Sequence, residues 1–277
     1  MNKNLSISIV TPTFNRGDFL EKNILSIKNQ DYLYIEHLVQ DGVSTDSSIE
    51  ILKKYEKSYN LKWVSEKDAG CANAMNKGFA RATGDIFCWL DSDDFYLPGT
   101  ITKVMKVFQE HPEVDVVFGD LLIADYRGTV VDHIKHTDFD IDTLIYLTMS
   151  LNPQATFWRK SLHGTIGQFD ETLLRCADAD FFIRMGLLKA TFYHMKEFLS
   201  VYRMHDAQLT KSVDIIRREG VILLGKYKEK GLTAQGLRWK RHILSMKRVF
   251  KFIKQGDWQY ALRGIFRRIG GLYLYKN

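Results

Sequence analysis

The stretch that decides the fold of this chain is IFCWLDSDDFYL, residues 86–97. Residues 86–90 are uniformly apolar, which predicts a strand buried on both faces. Asp91, Asp93 and Asp94 follow directly, so we expect them at the carboxyl edge of that strand, where open α/β sheets bind ligands. Neighbouring carboxylates repel one another unless a cation or hydrogen-bond donors offset the repulsion, and Mg²⁺ and Mn²⁺ prefer such oxygen ligands. The alternative is an acidic turn that caps the next helix.

The segments before this stretch repeat one pattern of strand, turn and helix. Strand-like runs occupy residues 6–10, 34–39 and 61–64, and a helical pattern follows each of them. This alternation predicts an α/β fold with a mainly parallel, Rossmann-like sheet flanked by helices. The later runs at residues 114–119, 121–125 and 129–132 look like antiparallel additions to that sheet.

Polar residues follow the predicted strands where a ligand in the sheet crevice could contact them. Thr11 and Thr13 come after the first strand, Asp41 after the second and Asp68 after the third. Asp41 could accept the ring N–H of a uracil, and Asp68 could contact a ribose or a base or cap a helix. Such residues are also common in plain turns. The first half has no glycine-rich phosphate loop, so a metal is the better candidate for holding a diphosphate.

Composition places the chain among globular proteins. With 277 residues, 45% of them hydrophobic, it can bury a full core. Three cysteines without paired spacing argue against a disulfide framework and favour a reducing compartment. The amino terminus lacks the apolar core of a secretory signal, and no apolar run is long enough to span a bilayer, so we expect a cytoplasmic protein.

Charge divides the chain into two parts. Residues 211–277 contain 17 of the 39 Lys and Arg residues but 4 of the 33 Asp and Glu residues. The pattern changes at the same place from alternating strands and helices to helix alone. We therefore predict an α/β domain at residues 1–210 and a basic helical C-terminal extension at residues 211–277.

The extension carries an apolar stripe at helical spacing among many basic residues. The stripe consists of Trp239, Ile243, Met246, Phe250 and Ile253, and residues 260–275 repeat the mixture. This pattern is typical of an interfacial amphipathic helix, which would contact the anionic inner face of a membrane. In the alternative, the stripe packs on the first domain or on a second subunit of a homo-oligomer. No nucleic-acid-binding motif accompanies the charge, so a nucleic-acid partner is not expected.

Five segments in order resemble the family 2 nucleotide-sugar glycosyltransferases. They are SIVTPTFNRGDFLEKNILSIKNQ, VQDGVSTDSSIEIL, SEKDAGCANAMNKGFARATGDIFCWLDSDD, NPQATFWRKSL and FDETLLRCADADFFIRM, spread over roughly the first three-quarters of the chain. The resemblance implies a fold of the GT-A type and a Mn²⁺ or Mg²⁺ ion. It also implies a nucleotide-diphosphate sugar donor, and inversion at the anomeric carbon by a single displacement.

The resemblance also implies roles for individual positions. Thr11, Asp41 and Asp68 match nucleotide contacts of the family, and Asp91 matches its contact to ribose and diphosphate. Asp93 matches the metal ligand, and Asp94 would face the donor sugar. His205, in VYRMHDAQLT, resembles a late histidine that completes the metal or diphosphate site, although a lone histidine is more often a packing residue.

The general base is implied less directly. The family usually has an acidic pair where this chain reads ADADFFIRM, and Ala177 replaces the first acid. Asp178 then matches the base, with Asp180 as the alternative two residues later. Inversion requires a carboxylate on the face opposite the leaving diphosphate, which either residue could supply. Asp178 could also act as a helix N-cap.

We therefore predict an inverting, metal-dependent glycosyltransferase of the hexosyl or N-acetylhexosaminyl class. Its donor would be a UDP-sugar, and its acceptor a hydroxyl of a glycan or lipid-linked glycan, as in cell-surface polysaccharide synthesis. Two alternatives stay open. One is a sugar nucleotidyltransferase, although the loop TPTFNRG lacks the expected glycine- and arginine-rich signature. The other is a non-catalytic nucleotide- or glycan-binding protein.

Overall fold

The computed structural model of the protein describes residues 4–147, 151–206, 208 and 212–262. Within these residues the strands are β1 (Ile7–Thr13), β2 (Ile35–Asp41), β3 (Leu61–Ser65), β4 (Ile86–Trp89), β5 (Phe95–Tyr96), β6 (Val116–Ala124), β7 (Val130–Ile134), β8 (Thr156–Arg159) and β9 (Phe192–Arg203). The helices are α1 (Gly17–Lys28), α2 (Ser48–Tyr55), α3 (Cys71–Ala80), α4 (Thr100–Glu110), α5 (Ile141–Leu147), α6 (Lys160–Ile166), α7 (Ala177–Leu187), α8 (Val213–Tyr227) and α9 (Ala234–Lys254).

All these strands belong to one sheet, in which β4 has a central position. The strand order is β3-β2-β1-β4-β8-β6-β9-β5, and β7 pairs with β6 outside this order. β3, β2, β1 and β4 are mutually parallel, and the predicted α/β class is confirmed. Every residue of β4 is buried, as expected for a strand covered on both faces. Its carboxyl end therefore delivers the carboxylates of residues 91–94 to the edge where β1 and β2 also end.

β1 is longer than its sequence pattern predicts and continues through Pro12 to Thr13. Proline lacks the N–H group that a central strand needs. It is accommodated because β4 pairs with β1 only from Ile7 to Val10, which leaves Pro12 with a neighbouring strand on one side. This extension carries Thr13 to the sheet edge beside the β4 loop.

The second half of the sheet is mixed rather than purely antiparallel. β6 is antiparallel to β7 and β8 but parallel to β9. The two runs predicted at residues 114–119 and 121–125 form the single strand β6. The strand continues through Asp120 because its buried carboxylate accepts hydrogen bonds from the backbone N–H of His136 at 2.8 Å and from His194 Nε2 at 3.3 Å.

Helices α8 and α9 pack on the body of the protein. Leu223 of α8 and Leu244 and Phe252 of α9 are buried, and both helices contact α5. The predicted junction between residues 210 and 211 falls outside the described residues, as do residues 263–277, so the proposed domain division stays a prediction. Within the described part of the chain, no helix combines the length and the apolar character needed to cross a bilayer.

Candidate active site

A cavity of about 620 Å³ opens at the carboxyl ends of the parallel strands. Five of the residues selected from the sequence line this cavity. They are Thr13, Asp68, Asp91, Asp93 and Asp178. The cavity brings together the end of β1, the loop after β4 and the first turn of α7, which lie far apart in the sequence. It is also lined by residues of the segment NPQATFWRKSL, including Asn152 and Gln154.

Several residues that line the cavity have a buried polar atom without a partner. Thr13 Oγ1, Gln154 Oε1 and Arg175 Nε have no hydrogen-bond partner among the described residues. Buried polar groups in folded proteins are nearly always hydrogen-bonded, and the residues that line the cavity also include the carboxylates Asp68, Asp91, Asp93 and Asp178. The cavity is therefore suited to a ligand with several oxygen or nitrogen atoms.

Asp91 and Asp94, the first and last carboxylates of the loop after β4, differ in their surroundings. Burial, together with the nearby negative charge of Asp93, raises the pKa of Asp91 to about 7. Asp94 lies deeper and is 1% exposed. Its carboxylate oxygens accept the backbone N–H of Arg203 at 2.8 Å and the Gln154 amide at 2.9 Å. Asp94 thus connects the β4 loop to β9 and to Gln154, and its predicted contact with a donor sugar stays a prediction.

Asp93 lies beside His205, a second possible metal ligand, and near the cationic side chain of Arg16. His205 Nε2 is 2.8 Å from Asp93 Oδ2, and the guanidinium of Arg16 is 3.9 Å from the same oxygen. The His205 ring stacks on Phe19 at 4.4 Å, which fixes its orientation. An imidazole nitrogen and a carboxylate oxygen are ordinary ligands for Mn²⁺, while Mg²⁺ favours oxygen alone.

The charge balance at this point also fits a divalent cation. Repulsion from Asp93 contributes to the raised pKa of Asp91, and a cation between the two carboxylates would remove that repulsion. Within the described residues, no group of three or more His, Cys, Asp or Glu side chains forms a complete metal site. Asp93 and His205 therefore fit a metal whose remaining ligands come from water or from a diphosphate.

Asp178 lies in the first turn of α7, where it lines the cavity. It is the second residue of the helix and therefore not its N-cap, which is Cys176. Burial raises the pKa of Asp178 to about 6, although backbone N–H groups at the start of the helix partly oppose this effect. The negative charge of Asp178 also contributes to the raised pKa of Asp91, which places the two carboxylates on the same cavity. A carboxylate with such a pKa is ionised at neutral pH and basic enough to take a proton.

Asp180 has a different environment, although it is only two residues away. It is 0% exposed, and its carboxylate binds Arg184 Nε at 2.7 Å, Lys226 Nζ at 2.8 Å and the Tyr227 hydroxyl at 2.6 Å. Burial opposes ionisation of Asp180, but these three donors outweigh it and lower the pKa below its ordinary value. Asp180 therefore joins α7 to α8, and the geometry favours Asp178 over Asp180 as the base.

Replacing Asp180 with Asn should destabilise the protein. We expect the free energy of unfolding to fall by about 2 to 3 kcal/mol near neutral pH, because charged hydrogen bonds are lost in a buried place. A lowered pKa stabilises the folded state only above the ordinary pKa of an aspartate, so the loss should shrink as the pH falls towards and below about 4. Urea unfolding at several pH values would measure this change.

Asp214→Asn provides the matched control for this prediction. Asp214 belongs to an exposed ion pair with Arg217 on α8, and its replacement should change the free energy of unfolding by no more than about 0.5 kcal/mol. An effect of Asp180→Asn as small as that of Asp214→Asn would contradict the structural role of Asp180.

Glu219 of α8 is a site-supporting residue that the sequence analysis missed. Its buried carboxylate accepts the backbone N–H groups of Leu174, Arg175 and Cys176 at 2.7 to 2.9 Å. These residues lead directly into α7, so Glu219 holds the chain segment that positions Asp178. The only signal in the sequence was that Glu219 is one of 4 acidic residues in the basic extension.

Two predicted nucleotide contacts have side chains that are engaged within the protein. Thr11 Oγ1 is 2.9 Å from His37 Nε2, and Thr11 is 0% exposed. The Asp41 carboxylate accepts the backbone N–H groups of Val43 and Ser44 at 3.0 Å and the Ser65 hydroxyl at 2.6 Å. Asp41 thus organises the loop after β2, and its contact with a uracil stays a prediction.

The aromatic ring of Phe14 provides a flat hydrophobic surface near Asp68 at the cavity. The Phe14 side chain lines the cavity and is 56% exposed. A Cβ atom on Gly42 would lie 2.7 Å from Asp68 Oδ2 and 3.4 Å from the Phe14 ring, so only glycine leaves this corner open. An aromatic ring beside a carboxylate suits a nucleobase, which can stack on the ring and donate an N–H group to the oxygen.

Two cavity-lining arginines were also missed. Arg16 approaches Asp93, and Arg175 lies three residues before Asp178. Arg16 belongs to the quoted loop TPTFNRG, so its position after β1 was a usable signal. No signal in the sequence pointed to Arg175, because the orientation of its side chain depends on how α8 holds the segment before α7.

Comparison with known proteins adds to this geometry. The sequence model of Glycosyl transferase family 2 matches residues 8–164. A PGL/p-HBAD biosynthesis glycosyltransferase from Mycobacterium bovis is 31% identical over 182 residues, which cover 64% of this chain and 68% of the relative. An uncharacterized glycosyltransferase of Rickettsia bellii is 25% identical over 236 residues, covering 81% of this chain and 33% of that protein.

Solved structures of glycosyltransferases share the fold. The crystal structure of S. aureus TarS with UDP-GlcNAc has a TM-score of 0.67 at 20% identity and covers 95% of this chain and 81% of its own. The mannosyltransferase PcManGT of Pyrobaculum calidifontis, solved with GDP-Man and Mn²⁺, has a TM-score of 0.61 at 17% identity and covers 94% and 74%. The predicted GT-A-type fold is confirmed.

Proposed function

This chain belongs to glycosyl transferase family 2 and is therefore a glycosyltransferase, and we propose that it transfers a sugar with inversion from a nucleoside diphosphate to an acceptor hydroxyl. One observation carries the proposal. Asp178 lines the same cavity as Asp91 and Asp93, so the proposed base and the proposed diphosphate contacts would share a single ligand-sized space. A cavity of about 620 Å³ is within the usual range for small-molecule sites.

Asp178 is the proposed general base. The acceptor hydroxyl gives its proton to the Asp178 carboxylate while its oxygen forms a bond to the anomeric carbon. The bond between that carbon and the diphosphate oxygen breaks at the same time, and the electron pair leaves with the diphosphate. Attack from the face opposite the leaving group inverts the configuration.

Asp93 and His205 are proposed to hold a divalent cation, Mn²⁺ or Mg²⁺. When bound, such an ion would neutralise charge that develops on the leaving diphosphate. Arg16 adds a fixed positive charge beside Asp93. Besides burial, the charges of Asp93, Asp178 and Arg16 all influence the pKa of Asp91, which supports a role for Asp91 as the contact to ribose and diphosphate.

The nucleotide is proposed to lie along the ends of β1, β2 and β3, and its nucleobase is proposed to be uracil. Phe14 and Asp68 offer a stacking surface and an acceptor oxygen at the cavity, and Thr13 lines the same cavity. Thr11 and Asp41 would hold this region in place through their hydrogen bonds within the protein. Two proteins of the same fold were solved with UDP-GlcNAc and with GDP-Man respectively. Both UDP- and GDP-linked donors are therefore needed to test the nucleobase.

The acceptor is proposed to enter beside α7. The wall next to Asp178 includes Leu173, Leu174 and Arg175, which together offer apolar surface and one cation. This combination suits a glycan or a lipid-linked glycan, and the transferred sugar would be a hexose or an N-acetylhexosamine, as in cell-surface polysaccharide synthesis.

A panel of donors would test the proposal. UDP- and GDP-linked hexoses and N-acetylhexosamines are incubated with the protein, with and without Mn²⁺, and the released nucleoside diphosphate is measured. We expect release from one class of UDP-sugar, stimulated by Mn²⁺, and a product of inverted anomeric configuration by NMR. Release of pyrophosphate from a nucleoside triphosphate and a sugar phosphate would instead indicate a nucleotidyltransferase. Binding of UDP without any turnover would indicate a non-catalytic protein.

The acid side of the pH profile should report Asp178. Because burial raises the pKa of Asp178 to about 6, kcat/KM should be constant above that pH and fall about tenfold per pH unit below it. The profile is measured with a saturating metal concentration at each pH. A fall that begins only near pH 4, the ordinary range of an aspartate, would contradict a buried base at this position.

A further inference from the structure

One face of α9 leaves a row of large apolar side chains in solvent. Trp239, Ile243, Met246, Phe250 and Ile253 are between 49% and 67% exposed. We call these five residues the α9 ridge. Leu244 and Phe252, in contrast, are buried against the body of the protein. The stripe selected from the sequence is thus the outward face of the helix, and a different face packs on the catalytic body.

Helical geometry places the ridge on a single line. An ideal α-helix turns about 100° per residue, so the five positions lie within about 40° of one direction. Leu244 and Phe252 fall on the opposite side of the same helix. From Trp239 to Ile253 the ridge is about 21 Å long at 1.5 Å per residue. A continuous exposed apolar row of this kind marks an interaction surface.

The residues around the ridge are strongly basic. α9 has 21 residues, of which 7 are Lys or Arg and none is Asp or Glu. Lys240 and Lys251 are held by acidic groups of the body, including Asp142 and Asp140. Arg238, Lys247 and Lys254 are exposed, and in the part of the chain that the structure describes they form no ion pair. Their charges therefore remain available to an outside partner.

We propose that this face of α9 binds the surface of an anionic phospholipid bilayer. The α9 ridge would lie among the headgroups and upper acyl chains, and Arg238, Lys247 and Lys254 would contact lipid phosphates. Lysine and arginine side chains reach such phosphates while their aliphatic stems stay near apolar surface.

Charge favours a bilayer over the pairing of two α9 faces. Pairing two α9 faces would bring two helices without acidic residues together, and their like charges would repel. A nucleic acid would match the charge, but it would leave the apolar ridge in water.

The position of α9 links this surface to the cavity. Just after α9, Asp257 pairs with Lys135, and the Tyr260 hydroxyl accepts the Lys135 backbone N–H at 3.2 Å. Ile134, the neighbouring residue at the end of β7, lines the cavity. The segment just after α9 is therefore joined to the strand that contributes Ile134 to the cavity wall. The membrane contact itself does not depend on the transfer chemistry.

Vesicle flotation of the full-length protein tests the proposal. Vesicles of phosphatidylcholine with phosphatidylglycerol are compared with vesicles of phosphatidylcholine alone. We expect the protein to float with the anionic vesicles, and high salt should release it. Trp239→Gln/Met246→Gln/Phe250→Gln and Arg238→Gln/Lys247→Gln/Lys254→Gln should each weaken partitioning at least about tenfold. Removing residues 211–277 is unsuitable, because it would deprive Asp180 of Lys226 and Tyr227.

Matched variants on the catalytic body serve as controls. Leu33, Tyr126 and Leu188 are exposed apolar residues outside α9, and Lys53, Lys57 and Lys106 are exposed basic residues. Replacing either set with Gln should leave flotation unchanged. Release of nucleoside diphosphate in solution should be the same for both α9 variants and the original protein, which separates this test from that of the proposed function.

Three results would overturn the proposal. One is equal flotation of the original protein and the α9 variants, and another is no flotation of any of them. The third is a concentration-dependent dimer, seen by analytical ultracentrifugation, that the ridge variant converts to a monomer, since the ridge would then bind a second copy.

Discussion

Replacing Asp178 with Asn should reduce sugar transfer by about a hundredfold to ten-thousandfold, the range that general base catalysis supplies. The amide has nearly the same shape as the carboxylate but cannot accept the acceptor's proton at neutral pH. Donor binding should stay close to that of the original protein, because Asp178 is not one of the proposed nucleotide contacts. Initial rates of nucleoside diphosphate release and the Kd of UDP, measured by calorimetry, would check both expectations.

The same variant should not lose stability. Burial disfavours the ionised form of Asp178, and a pKa raised from 3.8 to about 6 corresponds to roughly 3 kcal/mol of free energy. This cost to the folded state is absent below the ordinary pKa of an aspartate, near 4, grows as the pH rises from there to about 6, and is fully present above about 6. We therefore expect Asp178→Asn to unfold at the same or a higher urea concentration than the original protein at pH values above that range.

Asp214→Asn is the matched control for this pair of measurements. Asp214 is the second residue of α8, as Asp178 is of α7, but it is exposed and does not line the cavity. It should leave the rate unchanged. A rate of Asp178→Asn within a few fold of the control would remove Asp178 as the base, and a large loss of stability would instead indicate a structural role.

Replacing Asp93 with Asn should lower transfer by about a hundredfold or more, because stabilisation of a developing phosphate charge by a cation amounts to several kcal/mol. The amide keeps a neutral oxygen near His205 but removes the negative charge. We expect the same variant to weaken binding of Mn²⁺ in the presence of UDP, measured by calorimetry or by electron paramagnetic resonance. This second measurement does not depend on turnover.

Glu110→Gln controls for the general effect of changing an acid to an amide. Glu110 is an exposed residue at the end of α4, and its pairing with Lys106 is loose at 3.8 Å. It should leave the rate and Mn²⁺ binding as they are. Unchanged Mn²⁺ binding in Asp93→Asn, at whatever rate, would show that the cation is held elsewhere.

The buried position of β4 in a parallel sheet could be predicted, because the sequence pattern that indicates it lies within the strand itself. Five consecutive apolar residues, 86–90, have one stable environment in an alternating α/β pattern, so the carboxylates after them had to lie at the sheet edge. The extent of β1 and β6 could not be predicted in the same way. Pro12 and Asp120 are unfavourable inside a strand by themselves, and each is tolerated because of neighbours that only the assembled sheet provides.

The choice between Asp178 and Asp180 also lay beyond the sequence. Side chains two positions apart on a helix are rotated by about 200° relative to each other, so one of these two had to face away from the cavity. Which one faces away depends on Lys226 and Tyr227, some 46 and 47 residues later in the chain, which bind Asp180. The deep position of Asp94 likewise depends on the backbone of Arg203.

The amino-acid sequence by itself determined the α/β class, the family, the place of the β4 carboxylates and the amphipathic character of α9. These features follow from spacing along the chain, which fixes side-chain periodicity before any distant contact forms. Only the tertiary structure decided which carboxylates line the cavity, which are held inside the protein, and which face of α9 meets solvent. Those outcomes depend on contacts between remote segments, whose hydrogen bonds and packing no local pattern encodes.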